Sequence, residues 1–335
     1  MPQKHGTCSH HNELTETWLH CDTDIPAIQS EPFNCFGVYN EKLTKKGRHS
    51  GGILVCVHKR LSNVSVHRTH AVEGIIWLKF AAPSRLARDD FYLAACYFSP
   101  HDSTHWTRNH INPFDTIMEG ILDICSFGSK FAICGDMNAR TGSNGDTLDT
   151  CISDNTPTNM NSLSLPQQTM VPPGASMDRG VNSFGHKLVQ LCAATGIIIL
   201  NGRLPGDTLG ACTYFSQSVN GSSLIDYFLA YPNLVFNTNG TPLHGASLCI
   251  QEHNDFRAIS DHLPVLLTLP HGTIPEPLEP PGRYQRKRQR RPKNRNKRMR
   301  WVWQEEVAAA YVTELCLVMV QYFWIHLWNA VIWIV

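Results

Sequence analysis

The 335 residues contain no CxxC pair, no zinc-ligand spacing among their Cys and His, and no internal repeat. Structural zinc sites and repeat architectures are therefore set aside. The Gly period of collagen and the long heptads of a coiled coil are missing as well. Charge is scarce: Asp, Glu, Lys and Arg make up 17% against 42% hydrophobic residues. A chain this apolar is not disordered throughout and is long enough to bury a sizeable core. The first 20 residues are polar and His-rich, with no apolar leader, so an intracellular, reducing compartment is expected. The 12 Cys then read as buried thiols rather than a disulfide framework, since Cys56, Cys96 and Cys134 sit inside apolar runs.

What charge there is divides unevenly. Residues 283–335 hold 11 of the 29 cations and three of the 28 acids, and all 11 cations fall within 283–300. The body before them is acidic, with 18 cations against 25 acids. Short β-branched and aromatic runs recur at 51–59, 74–82, 90–99, 130–138, 196–202, 224–231 and 261–269. Most are apolar without strict alternation, or alternate only in part, which predicts strands covered on one or both faces. Segments 112–127 and 184–196 carry apolar residues at helical spacing, and Gly196 predicts a C-terminal stop. Strands outnumber helices, so the fold class is α/β: a two-sheet β-sandwich flanked by helices. The Ser-, Asn- and Gly-rich stretch 141–182 reads as a long surface loop.

The domain plan is an irregular start (1–13), one catalytic-sized domain (14–270), a Pro-rich then basic linker (271–300) and a helical, hydrophobic tail (301–335). The last 21 residues, 315–335, carry no formal charge and meet the length for a membrane span. A tail anchor and an out-of-frame, non-coding stretch are the two readings of that tail. The basic run, with Arg286, Lys287, Arg288, Arg290 and Arg291, reads as a phosphate-backbone tether or a nuclear import signal, against a solvated linker.

Three clusters carry chemistry, each an acid at a strand end with a polar neighbour. They are Asp136 and Asn138 in GDMN, Ser223 and Asp226 in SSLID, and Ser260, Asp261 and His262 in SDH. Hard carboxylate oxygens suit Mg²⁺, with Mn²⁺ as the alternative, held together with a substrate phosphate. A His beside carboxylates suits orienting or activating water, and Asn138 and Tyr97 suit donation to a phosphoryl oxygen. That inventory points to metal-assisted phosphodiester hydrolysis.

In this order, GDMN, SLIDY and SDHLPV resemble the endonuclease/exonuclease/phosphatase superfamily. LTETWL (14–19), GRHSGGILVCV (47–57), CYFSP (96–100), 182–207 and 213–229 resemble the endonuclease domain that opens non-LTR (LINE-type) retrotransposon polyproteins. The resemblance runs from about Leu14 to Leu269. It implies a four-layer sandwich like that of pancreatic deoxyribonuclease, nicking of DNA to leave a 3′ hydroxyl, and a nuclear location. It implies roles as well. Glu16 and Asp261 bind the metal, Tyr97 contacts the phosphate, and Asp136 with Asn138 align water and phosphate. Asp226 orients His262, and Ser223 and Ser260 support the neighbouring carboxylates. DNA is the expected partner, RNA a second one through the basic run, and a membrane a third through 315–335; the oligomeric state is not readable.

The sequence departs from that pattern at both ends. Relatives of this kind place a strand ending in Asn, then a helix, before the metal-binding Glu; the 15 residues before Glu16 hold neither. The sandwich is therefore expected to lack its first strand and helix, with weakened metal binding. MRWVWQEEVAAAYVTEL (299–315) resembles the basic-then-helical connector that follows the nuclease in such elements; the likeness gives way near Leu315, and no reverse transcriptase is expected after it. Two rivals stay open: a phosphatase or phospholipase on the same fold, and a catalytically impaired remnant.

Overall fold

The computed structural model describes residues 33–38, 52–59, 61, 63–82, 90–146, 170–216, 221–251 and 261–270, together with the backbone of 323–327 and 330–334. In chain order the elements are β1 (Phe33–Val38), β2 (Ile53–His58), β3 (Val64–His70), β4 (Ile75–Phe80), β5 (Phe91–Tyr97), α1 (Thr104–Asn109), α2 (Pro113–Ser126) and β6 (Lys130–Asp136). Then come α3 (Ser183–Thr195), β7 (Ile198–Ile199), β8 (Tyr214–Phe215), β9 (Ser222–Ser223), β10 (Asp226–Ala230), β11 (Ser247–Ile250), β12 (Val265–Thr268), β13 (Phe323–Leu327) and β14 (Ala330–Ile334). They form two six-stranded sheets, ordered β3-β4-β5-β6-β10-β7 and β1-β2-β14-β13-β12-β11, and a small β8–β9 ribbon. The first is called here the helix-backed sheet and the second the hairpin sheet.

The apolar runs lack polar alternation because both faces of the helix-backed sheet are covered. In β5, Phe91, Leu93 and Ala95 enter the core between the sheets, while Tyr92, Ala94 and Cys96 enter the core under the helices. The hairpin sheet meets the first set with Val55, Val57, Leu248, Val265 and Leu267, all fully buried. On the other face α2 lays down Phe114, Ile117, Ile121 and Ile124, and α3 lays down Leu188 and Leu191. Helix α2 lies so close to Trp77 that a Cβ on Gly120 would sit 2.8 Å from the indole Nε1. Helix α3 starts where Asn182 Oδ1 accepts the Gly185 N–H at 2.8 Å, and it stops at Gly196 with φ 75°. The described residues thus supply the layers helix, sheet and sheet of the expected α/β sandwich.

Three expectations change. The loop 141–182 is not a mere surface excursion: Asp146 and Asp178 are both buried. Asp146 pairs with the buried Arg203, which also donates to Pro172 O at 2.9 Å. Asp178 takes a two-pronged bond from Arg140 (2.9 and 2.5 Å). Second, β1, β3, β11 and α1 were not foreseen; β3 is polar (VSVHRTH) and largely exposed at a sheet edge. Third, the tail is not helical over the residues described. Residues 323–327 and 330–334 form an antiparallel hairpin in the centre of a sheet. No helix among the described residues is long and apolar enough to cross a membrane.

Candidate active site

Strands β5 and β6 run parallel, and β10 runs antiparallel to β6. Their registers put Tyr97 opposite Asp136 and Asp136 opposite Asp226. One end of the sheet therefore carries these three residues side by side. By the two-residue period of a strand they share the face of Ala95, Cys134 and Phe228, so they stand where the core between the sheets opens. Tyr97 packs against that core. The close approach of β5 to β6 requires Gly135. Its φ is 143°, and a Cβ there would fall 1.8 Å from Cys96 O.

The hairpin sheet supplies the other wall. His262 lies three residues ahead of β12 and is 4% exposed. Its Nδ1 is 3.0 Å from Asp226 Oδ2, a contact that crosses from one sheet to the other. The edge of the Tyr214 ring lies over the imidazole at 5.1 Å between centroids. Thr213, which sequence reasoning missed, links both sides. Its N–H donates to Ser223 O (2.9 Å) and its carbonyl accepts from Leu263 N (2.7 Å). Its hydroxyl accepts from Asp226 N (3.3 Å) and Ile225 N (3.4 Å). Ser223 meets Thr213 through its backbone carbonyl, and the hydroxyl contact to the Asp226 backbone comes from Thr213. A fully buried Thr beside two ring residues in TYF was the available signal.

Asn138 is held in a left-handed conformation, φ 46°, a strained setting for a non-glycine residue. Its N–H donates to Asp136 Oδ1 (2.8 Å). Its amide donates to Phe98 O (2.7 Å) and to Asp136 Oδ2 (3.2 Å). The Phe98 carbonyl fixes which end of the amide is nitrogen, and both of its protons are then spent inside the protein. The expected donation from Asn138 to a phosphoryl oxygen is therefore not available in this arrangement; Asn138 orients Asp136. Asn182 fastens the turn by donating to Asn138 O at 2.8 Å. Asp178, also missed, anchors the far side by accepting from Leu224 N at 3.1 Å. Buried at the base of this wall, it keeps its carboxyl below the ordinary range because burial, which raises it, is outweighed by Arg140 and two backbone N–H groups.

Charge in the site is shared unevenly. Burial, then the negative field of Asp226, pushes Asp136 up to about 7, although His262 and the Asn138 N–H pull the other way. Burial opposes an imidazolium at His262, but Asp226, Asp136 and Asp261 outweigh it and lift the pKa to about 9. At neutral pH His262 is therefore the cation of the site and Asp136 the group poised to exchange a proton. Asp136, Asp226 and His262 each offer a ligand atom within 4.8 Å of the others. Asp226 Oδ1 is buried and has no hydrogen-bond partner among the described residues. A hard cation suits two converging carboxylates with one oxygen unspent, and Asp261 adds negative field beside them. Asp261 itself is half-buried, and its carbonyl accepts from Phe215 N at 2.7 Å. Glu16, Ser260 and the basic residues Arg286, Lys287, Arg288, Arg290 and Arg291 lie outside the described residues.

No protein-family model and no curated protein matches the chain. Among solved structures it is similar to the 3′ phosphatase NExo from Neisseria bound to a product DNA hairpin, with 13% identity and a TM-score of 0.44, covering 75% of this chain and 84% of that one. It is similar to an AP endonuclease from Archaeoglobus fulgidus at 13% identity and a TM-score of 0.37, covering 73% and 80%. A further similar structure is an endonuclease/exonuclease/phosphatase family protein from Bacteroides thetaiotaomicron, at 11% identity and a TM-score of 0.34, covering 70% and 72%.

Proposed function

We propose that the chain hydrolyses phosphodiester bonds in DNA with the help of a divalent metal, as a target-nicking endonuclease of the LINE retrotransposon type. The observation that carries this is the inter-sheet dyad, Asp226 to His262 at 3.0 Å, facing the Asp136–Asn138 turn across the register pair Asp136↔Asp226. Asp136 takes the proton of the attacking water, for which a pKa near the working pH is suited. Asn138 holds that carboxylate in one orientation. Asp226 fixes the His262 ring orientation and supports its charge, so the imidazolium faces the negative charge gathering on the phosphate. Water attacks phosphorus as Asp136 takes its proton, the bond to the 3′ oxygen breaks, and the departing 3′ oxyanion takes a proton from solvent, leaving a 3′ hydroxyl and a 5′ phosphate. Mg²⁺ or Mn²⁺ would be held by Asp226, with Glu16 and Asp261 as the ligands the resemblance adds, and would supply Lewis-acid neutralisation of phosphate charge. A nuclear location goes with this reading, and the basic run 286–291 serves as a salt-sensitive tether to nucleic acid.

Supercoiled plasmid with Mg²⁺ tests the reading beside an Asp136→Ala control. Conversion to the nicked circle by the unaltered chain, lost in the control, supports it. No conversion by a folded preparation contradicts it, and phosphate release from inositol phosphates would point to the phosphatase rival.

A further inference from the structure

Strands β2 and β12 do not touch each other. In the order β1-β2-β14-β13-β12-β11, everything between them is the C-terminal hairpin. Strand β14 pairs antiparallel with β2 (Ile332↔Val57, Trp333↔Cys56, Ile334↔Val55). Strand β13 pairs parallel with β12 (Val265↔Phe323 through Thr268↔His326). Both host strands are deep in the core: Val55, Val57, Val265 and Leu267 are all fully buried. Remove the hairpin and two ladder edges, one on β2 and one on β12, lose their partners. Strand β12 then keeps only β11 as a neighbour, through four residue pairs from Ser247↔Thr268 to Ile250↔Val265. His262 reaches Asp226 from the start of this same β12 segment.

We infer that residues 323–334 are a positioning element of the active site. By closing the hairpin sheet they hold β12 in register, and with it His262 and Asp261 against Asp136 and Asp226. The tail that composition reads as a membrane span is on this view part of the catalytic domain. Its slot is a strand-acceptor site of the kind that a peptide fills by main-chain pairing. The activity arm of the test rests on the function proposed above; the structural arm does not.

The test uses the full chain and two altered forms. Ile325→Pro removes a ladder N–H from β13, and a second form ends at residue 322. Hydrogen exchange is followed at the amides of β2, β12, β5 and β6. The expected result is at least tenfold faster exchange in β2 and β12 of Ile325→Pro, with β5 and β6 changed far less. Nicking should fall at least tenfold in kcat with KM little altered. A synthetic peptide of residues 319–335, added to the shortened form, should restore both protection and nicking. If Ile325→Pro and the shortened form exchange in β2 and β12 as the full chain does, the inference is overturned. It is also overturned if the full chain floats with neutral phosphatidylcholine vesicles and loses protection in β12. If the shortened form does not fold, Ile325→Pro decides alone. If protection behaves as expected but no form nicks DNA, the function reading fails and the structural inference stands.

Discussion

Both sheets have six strands, yet they are put together differently. The helix-backed sheet draws on one stretch, 64–230, and is covered by the hairpin sheet on one face and by α2 and α3 on the other. The hairpin sheet joins strands from 33–58 and 247–268 through a piece from 323–334. The site is split along the same line. Tyr97, Asp136 and Asp226 come from the first sheet, and Asp261 and His262 from the flank of the second. Asp136 and Asp226 are set by a sheet drawn from one continuous stretch, whereas His262 and Asp261 flank a sheet whose middle is the pair β13–β14. Changes in the first half should therefore act on chemistry or on global stability. Changes in the second should act on how the two halves meet.

The largest effect is expected from Asp136→Asn, which keeps shape and removes the proposed base. Plasmid nicking should fall by about 10²–10⁴-fold. Stability in urea should stay level or rise above neutral pH, because the buried carboxylate next to Asp226 is gone. Unchanged nicking would assign the proton transfer elsewhere. Next is the anchor behind the helix-backed sheet. Arg203→Met leaves Asp146 buried and unpaired and should cost about 3–5 kcal/mol in equilibrium unfolding. The double change Arg203→Met with Asp146→Leu should recover much of that; equal losses would mean the pair is not the cause.

The pH dependence separates the halves again. In metal-free, chelator-treated protein the His262 pKa is about 9 folded against an ordinary 6.5. Its stabilising contribution is complete below pH 6.5 and is lost as pH rises through 9. Asp136, raised to about 7 from 3.8, binds its proton more tightly when folded and so costs stability as pH rises from about 4 to 7. Urea midpoints of the unaltered protein should therefore fall in both windows. Asp136→Asn should flatten the lower one and His262→Gln the upper one. A midpoint that climbs from pH 6.5 to 9 would reverse the charge assignment at His262. The smallest effect is expected where the halves touch: Thr213→Val should cost about 1 kcal/mol and slow nicking several-fold. A loss confined to stability would limit Thr213 to a structural role.

How much of this the sequence disclosed follows the same division. Runs such as FAICGD and LIDYFLA are apolar because both faces are covered, so β6 and β10 were readable, and acids at their ends marked the site. The helices at 113–126 and 183–195 were readable from Phe114, Ile117, Ile121 and Ile124 and from Leu188 and Leu191. Strand β3 was not, because an exposed edge strand needs no apolar face. Asp146 and Asp178 were hidden in a polar stretch, since burial of a carboxylate depends on Arg203 and Arg140 arriving from elsewhere in the chain. The strand pairing of the tail was not readable for a related reason. An uncharged apolar run suits a membrane or a central strand pair equally well, and the pairing with β2 and β12 is not written in the run itself. Roles also shifted: Asn138 was readable as a site residue, but not that Phe98 and Asp136 would take both of its amide protons.

The most direct measurement is a double-mutant cycle across the two sheets. Asp226→Asn, His262→Gln and the combined change are compared for Mg²⁺-dependent plasmid nicking at one pH. If the two residues work as one unit between the sheets, the combined change is no slower than the worse of the single changes. If the two losses multiply, Asp226 and His262 act independently and the shared site is refuted.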